Sequence, residues 1–173
     1  ILMKDHGKHE WLGGTRDDAA GECFDKIARL LGLGYPGGPA IAAAAMQYST
    51  LNTKHKTQNK LPRPMINSRD FDFSFSGLKT AVLYKLKELE KNKIKLTDQL
   101  INCICFEFQQ AVVDVLIAKT IRAAKEYKVK SILLSGGVSA NKVLRQTLRK
   151  ETKKLGLFYS QPDLQYTGDN AAM

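Results

Sequence analysis

The sequence has few cysteines and no long apolar run, and each scarcity argues against a class of protein. Three cysteines, Cys23, Cys103 and Cys105, form no CxxC pair. An odd count set inside apolar helical patterns argues against a disulfide scaffold or a zinc site and suits reduced packing residues in the cytosol. No uninterrupted run of about 18 apolar residues occurs, which argues against a membrane span. No leader pattern opens the chain. An HExxH sequence and a Ser/His/Asp signature are also missing, so nothing points to proteolysis.

What is present is an ordinary globular composition of 173 residues, 43% hydrophobic, 8% aromatic and 25% charged. That much apolar surface offsets chain entropy and excludes disorder or low complexity. The length permits one core, or one complete lobe of something larger. The opening Ile1-Leu2-Met3 reads as the middle of a strand and the chain stops at Ala171-Ala172-Met173, so a fragment is expected. Net charge is +10. Residues 1–77 carry ten basic and eight acidic side chains, residues 78–173 seventeen and nine. A basic second half suits a polyanionic partner such as RNA, or simply a Lys-rich solvated surface.

Along the chain, Ile1–Met3 and Trp11–Leu12 read as two short strands joined by a polar turn, with His6 and His9 as exposed turn residues. Thr15-x-x-Asp18 has the form of a capping box, and Ala20, Phe24, Ile27 and Leu31 give the buried stripe of the following helix. Asp18, Glu22, Asp25 and Arg29 share the opposite face. Helix-dipole effects account for Asp18 and Glu22 better than for Asp25, which lies beyond the first turn. Gly37-Gly38 between Pro36 and Pro39 predicts a fixed turn whose main chain can approach a ligand. A short Ala-rich helix is expected over 40–47, and 49–70 reads as a surface loop or insertion.

Phe71, Phe73 and Phe75 alternate with polar residues, the period of a half-buried strand. Helices are expected over about 78–91 and from a Thr97-Asp98 cap to about Tyr127, the latter with a broad apolar face. A strand at 129–134 then leads through Ser135-Gly136-Gly137-Val138-Ser139-Ala140-Asn141 into another helix. Strand, double-glycine turn and helix start is an arrangement that presents backbone amides to a phosphate. Asn141 is either a cap or a ligand contact. Arg145, Arg149 and Lys153, four apart, read as a solvated basic face or a ligand-facing one. After a short strand at 157–160, Asp169 in Thr167-Gly168-Asp169-Asn170 is either a helix cap or a metal ligand.

The segments DDAAGECFDKIARLLGLGYPGGP, FDFSFSGLKTAV, LLSGGVSANKVLR and TGDNAAM stand in the order and approximate spacing of one family. The chain resembles the TsaD family of tRNA threonylcarbamoyladenosine transferases, formerly called O-sialoglycoprotein endopeptidases, in its bacterial form. The resemblance implies an α/β chain, one lobe of a two-lobed actin, hexokinase and Hsp70-like fold. Residues 1–173 would be the carboxy-terminal lobe, with 161–173 starting the return towards the other lobe. The implied reaction moves threonylcarbamoyl from threonylcarbamoyl-AMP to the adenosine next to the anticodon of tRNA, releasing AMP.

By the same resemblance, Asp25 and Gly38 hold the ribose of the adenylate, Gly136, Gly137 and Asn141 contact the nucleotide, and Asp169 binds a single divalent ion, iron or zinc. No covalent nucleophile is implied. The family's His-x-x-x-His and SGGHT motifs are not in this sequence, and one carboxylate cannot hold a transition metal tightly, so the isolated chain is expected to lack the ion and the activity. Gly14 and Ala42 stand where the family usually carries acids. Implied partners are tRNA, a non-catalytic paralogue, a small ATPase and the enzyme that makes the adenylate, all in the cytoplasm. The alternative is a non-catalytic nucleotide-binding or partner-binding module of the same fold.

Overall fold

The computed structural model describes residues 1–51 and 60–168. Asp169 and part of the expected 49–70 insertion lie outside the described residues.

The chain opens with an antiparallel hairpin of β1 (Leu2–Asp5) and β2 (Lys8–Glu10) that pairs Leu2 with Glu10 and Met3 with His9. Its turn is tighter than the sequence suggests, because His6-Gly7 closes it and Trp11-Leu12 falls beyond the second strand. Four helices follow: α1 (Ala20–Leu30), α2 (Gly37–Leu51), α3 (Ser76–Lys91) and α4 (Asp98–Glu126). β3 (Ser131–Leu133), α5 (Lys142–Lys154) and β4 (Phe158–Ser160) then form a parallel strand pair joined by a crossover helix. That is how parallel neighbours must be connected. The α/β character is as expected.

α4 organises the interior. At 29 residues it is about 43 Å long by the helical rise. Its N-terminal half enters the main core with α1, α2 and α3, where Phe24 meets Phe108 edge to face at 4.9 Å. Its C-terminal half closes a second, smaller core around Ala124, Ile132 and Leu148. α4 is long and apolar enough to span a membrane by composition, but half of its most apolar stretch is buried inside the protein. Two cores, one on each half of the helix, account for that apolar surface. Thr97 caps the helix as expected, accepting from the Leu100 N–H at 3.4 Å.

Three expectations are corrected. α1 begins at Ala20 with no side-chain cap, so Thr15-x-x-Asp18 is not a capping box. The Thr15 hydroxyl donates instead to the Asp18 carbonyl at 2.8 Å and accepts from the Asp17 N–H, a local turn that competes with helix. The Phe71–Phe75 alternation does not make a strand but a single bridge between Phe73 and Thr15. The expected 49–70 loop is helical at its start and structural at its end: Leu61 is in the main core, and Arg63 donates to Asp114 at 3.0 Å and to the Leu61 carbonyl at 2.6 Å.

Candidate functional site

Asp25 sits on α1 with its Oδ1 accepting the Gly37 N–H at 2.7 Å. It therefore satisfies one of the amides left unbonded at the start of α2, a cap delivered from a neighbouring helix. The double-glycine turn is in fact the first turn of α2, which starts three residues earlier than Ala40. Gly37 is where α2 touches α1: a Cβ there would lie 2.6 Å from the Asp25 Cα and 2.7 Å from the Phe24 carbonyl oxygen. Gly38 is open, with nothing within 4 Å of the same position. The other acids of this face are differently used, since Lys26 bridges Asp18 at 2.6 Å and Glu22 at 2.7 Å.

The second group lies after β3. Gly136 has φ +84, a conformation that admits glycine without strain, and it turns the chain into a short 3-10 helix at Gly137–Ala140. Asn141 then caps α5, accepting from the Leu144 N–H at 3.0 Å. Its Nδ2 donates at 2.8 Å to Oε1 of Gln109, a buried residue of α4. The side-chain amide is thus held at both ends, as a cap and across to α4.

α1 borders both groups. A Cβ at Gly21 would lie 3.5 Å from Val138 Cγ2, so the glycine-turn loop rests on α1. Asp25 is four residues on, on the same face and about 6 Å further along the axis. The chain beyond β4 returns to the same place, where the Thr167 carbonyl oxygen lies 3.7 Å from a Cβ at Gly137. Asp169 follows two residues later, outside the described residues. Among the described residues no three His, Cys, Asp or Glu side chains are grouped to hold a metal ion.

Two residues that fix the segment leading into α3 were not singled out in the sequence. Asp17 reaches across to the start of α3, where its carboxylate accepts from the Ser74 and Ser76 hydroxyls at 2.5 and 2.6 Å and from the Phe75 and Ser76 N–H groups at 2.8 and 3.2 Å. Burial alone would raise its pKa, but these four donors outweigh it and hold the group at about 2. The FSFSG run is therefore a cradle for a carboxylate of the same chain. A depressed folded pKa means stability present above the unfolded value of 3.8 and lost as pH falls from there towards 2. Asp17→Asn is expected to be less stable at pH 7 by about 1 kcal/mol after allowance for solvent screening, and the gap should close below pH 2. Urea titrations across that window check this; a gap independent of pH would reject it.

Lys119 is the other such residue. Its side chain is 1% exposed, inside the core-facing side of α4. The ammonium donates to Ser68 Oγ at 2.7 Å, to the Asp72 carbonyl at 2.5 Å and to the Asp70 carbonyl at 3.3 Å. Arg122 also donates to the Asp70 carbonyl, and Arg16 pairs with Asp70 at 2.8 Å and Asp72 at 2.9 Å. Burial pushes the Lys119 pKa down while Asp70 pulls it back up. Lys119 continues the spacing of Phe108, Val112 and Val115, so its register on the apolar face is the signal that marks it. The thiols behave as expected of packing groups: burial pushes Cys23 and Cys105 up to about 12.

The chain is thus α/β, with the loop after its glycine turn and a helix-borne carboxylate both on α1 and a capping asparagine tied to α4. A sequence model of the TsaD family, described as tRNA N6-adenosine threonylcarbamoyltransferase, matches residues 1–173, and the chain belongs to that family. It is 49% identical over 175 residues to the tRNA N6-adenosine threonylcarbamoyltransferase of Syntrophomonas wolfei, covering 100% of this chain and 48% of that protein. The protein of the same name from Thermosipho melanesiensis is 49% identical over 173 residues, 100% of this chain and 49% of its own length. That of Ralstonia pickettii is 48% identical over 167 residues, 96% of this chain and 46% of its own length. The chain spans about half the length of the curated relatives it matches.

Proposed function

We propose that this chain is the carboxy-terminal lobe of a two-lobed, actin-like transferase. The full-length polypeptide moves threonylcarbamoyl from threonylcarbamoyl-AMP to the adenosine next to the anticodon of tRNA, with release of AMP. The observation that carries this reading is that Asp25, which holds the start of α2 beside the open Gly38, lies on α1, the helix on which the loop after Gly136-Gly137 rests.

Each residue has a chemical part. Oδ1 of Asp25 is held by Gly37, which leaves Oδ2 to accept from ribose hydroxyls, since a carboxylate accepts at both oxygens. Gly38 lets the sugar lie against main chain, and the amides after Gly136 face a phosphate. Asn141, fixed by Leu144 and Gln109, borders the nucleotide rigidly. In the reaction the exocyclic amine of adenosine attacks the carbamoyl carbon, a C–N bond forms, the C–O bond to the AMP phosphate breaks, and the amine loses a proton. This chain's contribution is positioning and electrostatics. No protein nucleophile enters, and the buried thiols at 23 and 105 are unsuited to be one.

The proposed cofactor of the full-length polypeptide is one divalent ion, iron or zinc, with Asp169 giving a single oxygen. The described residues do not supply a metal site of their own. The reading places the full-length polypeptide in the cytoplasm with tRNA, a non-catalytic paralogue and a small ATPase. The isolated chain is inactive.

Asp25→Asn in the full-length polypeptide tests the site, because it keeps an acceptor for Gly37 and replaces the other oxygen with a donor. AMP affinity is expected to fall by about tenfold or more, with transfer of labelled threonylcarbamoyl to tRNA falling in parallel. Unchanged AMP binding, measured by calorimetry, would remove Asp25 from the ribose site.

A further inference from the structure

Arg145 departs from the expected solvated basic face. Its guanidinium turns back from the first turn of α5 and makes two hydrogen bonds to main chain, from Nε to the Ser139 carbonyl and from Nη2 to the Pro162 carbonyl at 2.8 Å. The first acceptor belongs to the 3-10 helix that follows the glycine turn, and Ser139 itself is 1% exposed. The second begins the segment that runs from β4 through Leu164–Tyr166 to Thr167. Arg149, one turn on, lies 6.0 Å from the centre of the Tyr159 ring, against β4. The face read as solvated is therefore turned in part onto the protein.

We propose that Arg145 is a positioning residue that straps the Gly136-Gly137 loop to the 162–168 segment, so that both present one fixed surface to the bound adenylate. This rests on the adenylate site proposed above. Three features support it. Arg145 shares its turn with the cap, its own N–H bonding to the Asn141 carbonyl at 3.1 Å, so loop, cap and strap move as one piece. The two segments also meet at a second point, where the Thr167 carbonyl lies against Gly137. A planar guanidinium holds its Nε and Nη2 donors apart in a fixed geometry and so can bond two separated carbonyls, whereas the three donors of an ammonium radiate from one point on a flexible stem. Displacing groups by about 1 Å can cost on the order of a hundredfold in rate, which is how a strap touching no substrate governs turnover.

The test uses the full-length polypeptide carrying Arg145→Met and Arg145→Lys. For the methionine variant, amide hydrogen exchange is expected to rise about tenfold in residues 136–140 and 162–168 and to stay at the wild-type rate in α1 and α2. Turnover in the tRNA transfer assay is expected to drop about tenfold or more while KM for threonylcarbamoyl-AMP stays within about threefold. The lysine variant, which keeps the charge but not the fixed two-donor fork, should recover part of both signals and carries the test if the methionine variant does not fold. Unchanged exchange in the two segments overturns the proposal. So does turnover within about twofold of wild type, or a rise spread equally over α1 and α2. Failure of Asp25→Asn to weaken AMP binding would strike the adenylate reading instead, and the exchange pattern would still report whether the strap exists.

Discussion

Replacing Lys119 with methionine is expected to lower stability by about 3 kcal/mol at pH 7, read from urea unfolding. Methionine fills the volume, so the loss is not one of packing. What it removes is a buried donor from Ser68 Oγ and from the carbonyls of Asp70 and Asp72. A buried acceptor left without its donor costs about 1–3 kcal/mol, and since the Asp70 carbonyl keeps Arg122, the loss falls mainly on the Asp72 carbonyl and Ser68. Asp70 keeps Arg16 and is partly exposed, so its carboxylate contributes little to the loss. The damage should extend to α3, because residues 70–76 lead directly into its Asp17-bound start. A change below about 1 kcal/mol would show that the surrounding residues repack and that the lysine does not hold the segment.

The second large effect is expected at Gly37. In Gly37→Ala the new methyl group would meet backbone on one side, the Asp25 Cα at 2.6 Å and the Phe24 carbonyl at 2.7 Å, and the Ala28 Cβ at 2.9 Å. None of these is the end of a flexible side chain. α2 is pinned on its other side by α4, with Tyr48 tilted against Phe106 at 5.4 Å, so the helix cannot retreat without opening the main core. Overpacking of this kind costs about 1–3 kcal/mol, and loss of the bond to Asp25 adds to it. Gly38→Ala is the control one residue away. Its methyl group meets nothing within 4 Å, so stability should stay within about 0.5 kcal/mol of the parent. If Gly38 borders the sugar, that same variant in the full-length polypeptide loses AMP affinity without losing stability. Equal thermal shifts for the two variants would contradict the close approach of α1 and α2.

Much of the helical framework was legible because its causes are local. Thr97 caps α4 through its own hydroxyl, the stripe of Phe24 and Ile27 enters the core, and the branched strand before Gly136 leads into a capped helix, all as the spacing implied. The misreadings share one physical origin. Thr15 and Asp18 looked like the start of their own helix because an acid near an N-terminus is favourable wherever the chain is taken as isolated. In the folded protein Asp17 serves the N-terminus of α3, more than fifty residues away. Phe71, Phe73 and Phe75 had the period of a strand, but Lys119, Arg122 and Arg16 bind the carbonyls and carboxylates of that segment, so sheet pairing is reduced to one bridge. Arg145 carried no local signal, since a charge repeated every four residues looks the same whether it faces water or two carbonyls.

The amino-acid sequence by itself determined which stretches are helical, where apolar stripes run, and the family to which the chain belongs, because propensity, periodicity and motif order depend on neighbours along the chain. Only the tertiary structure decided what the polar groups are for. A carboxylate or guanidinium is indifferent to sequence distance and takes whichever donor or acceptor the packed helices leave without water. Asp25 became the cap of α2, Asp17 that of α3, and Arg145 a bridge between two loops once α1, α4 and α5 had been brought together by their buried faces.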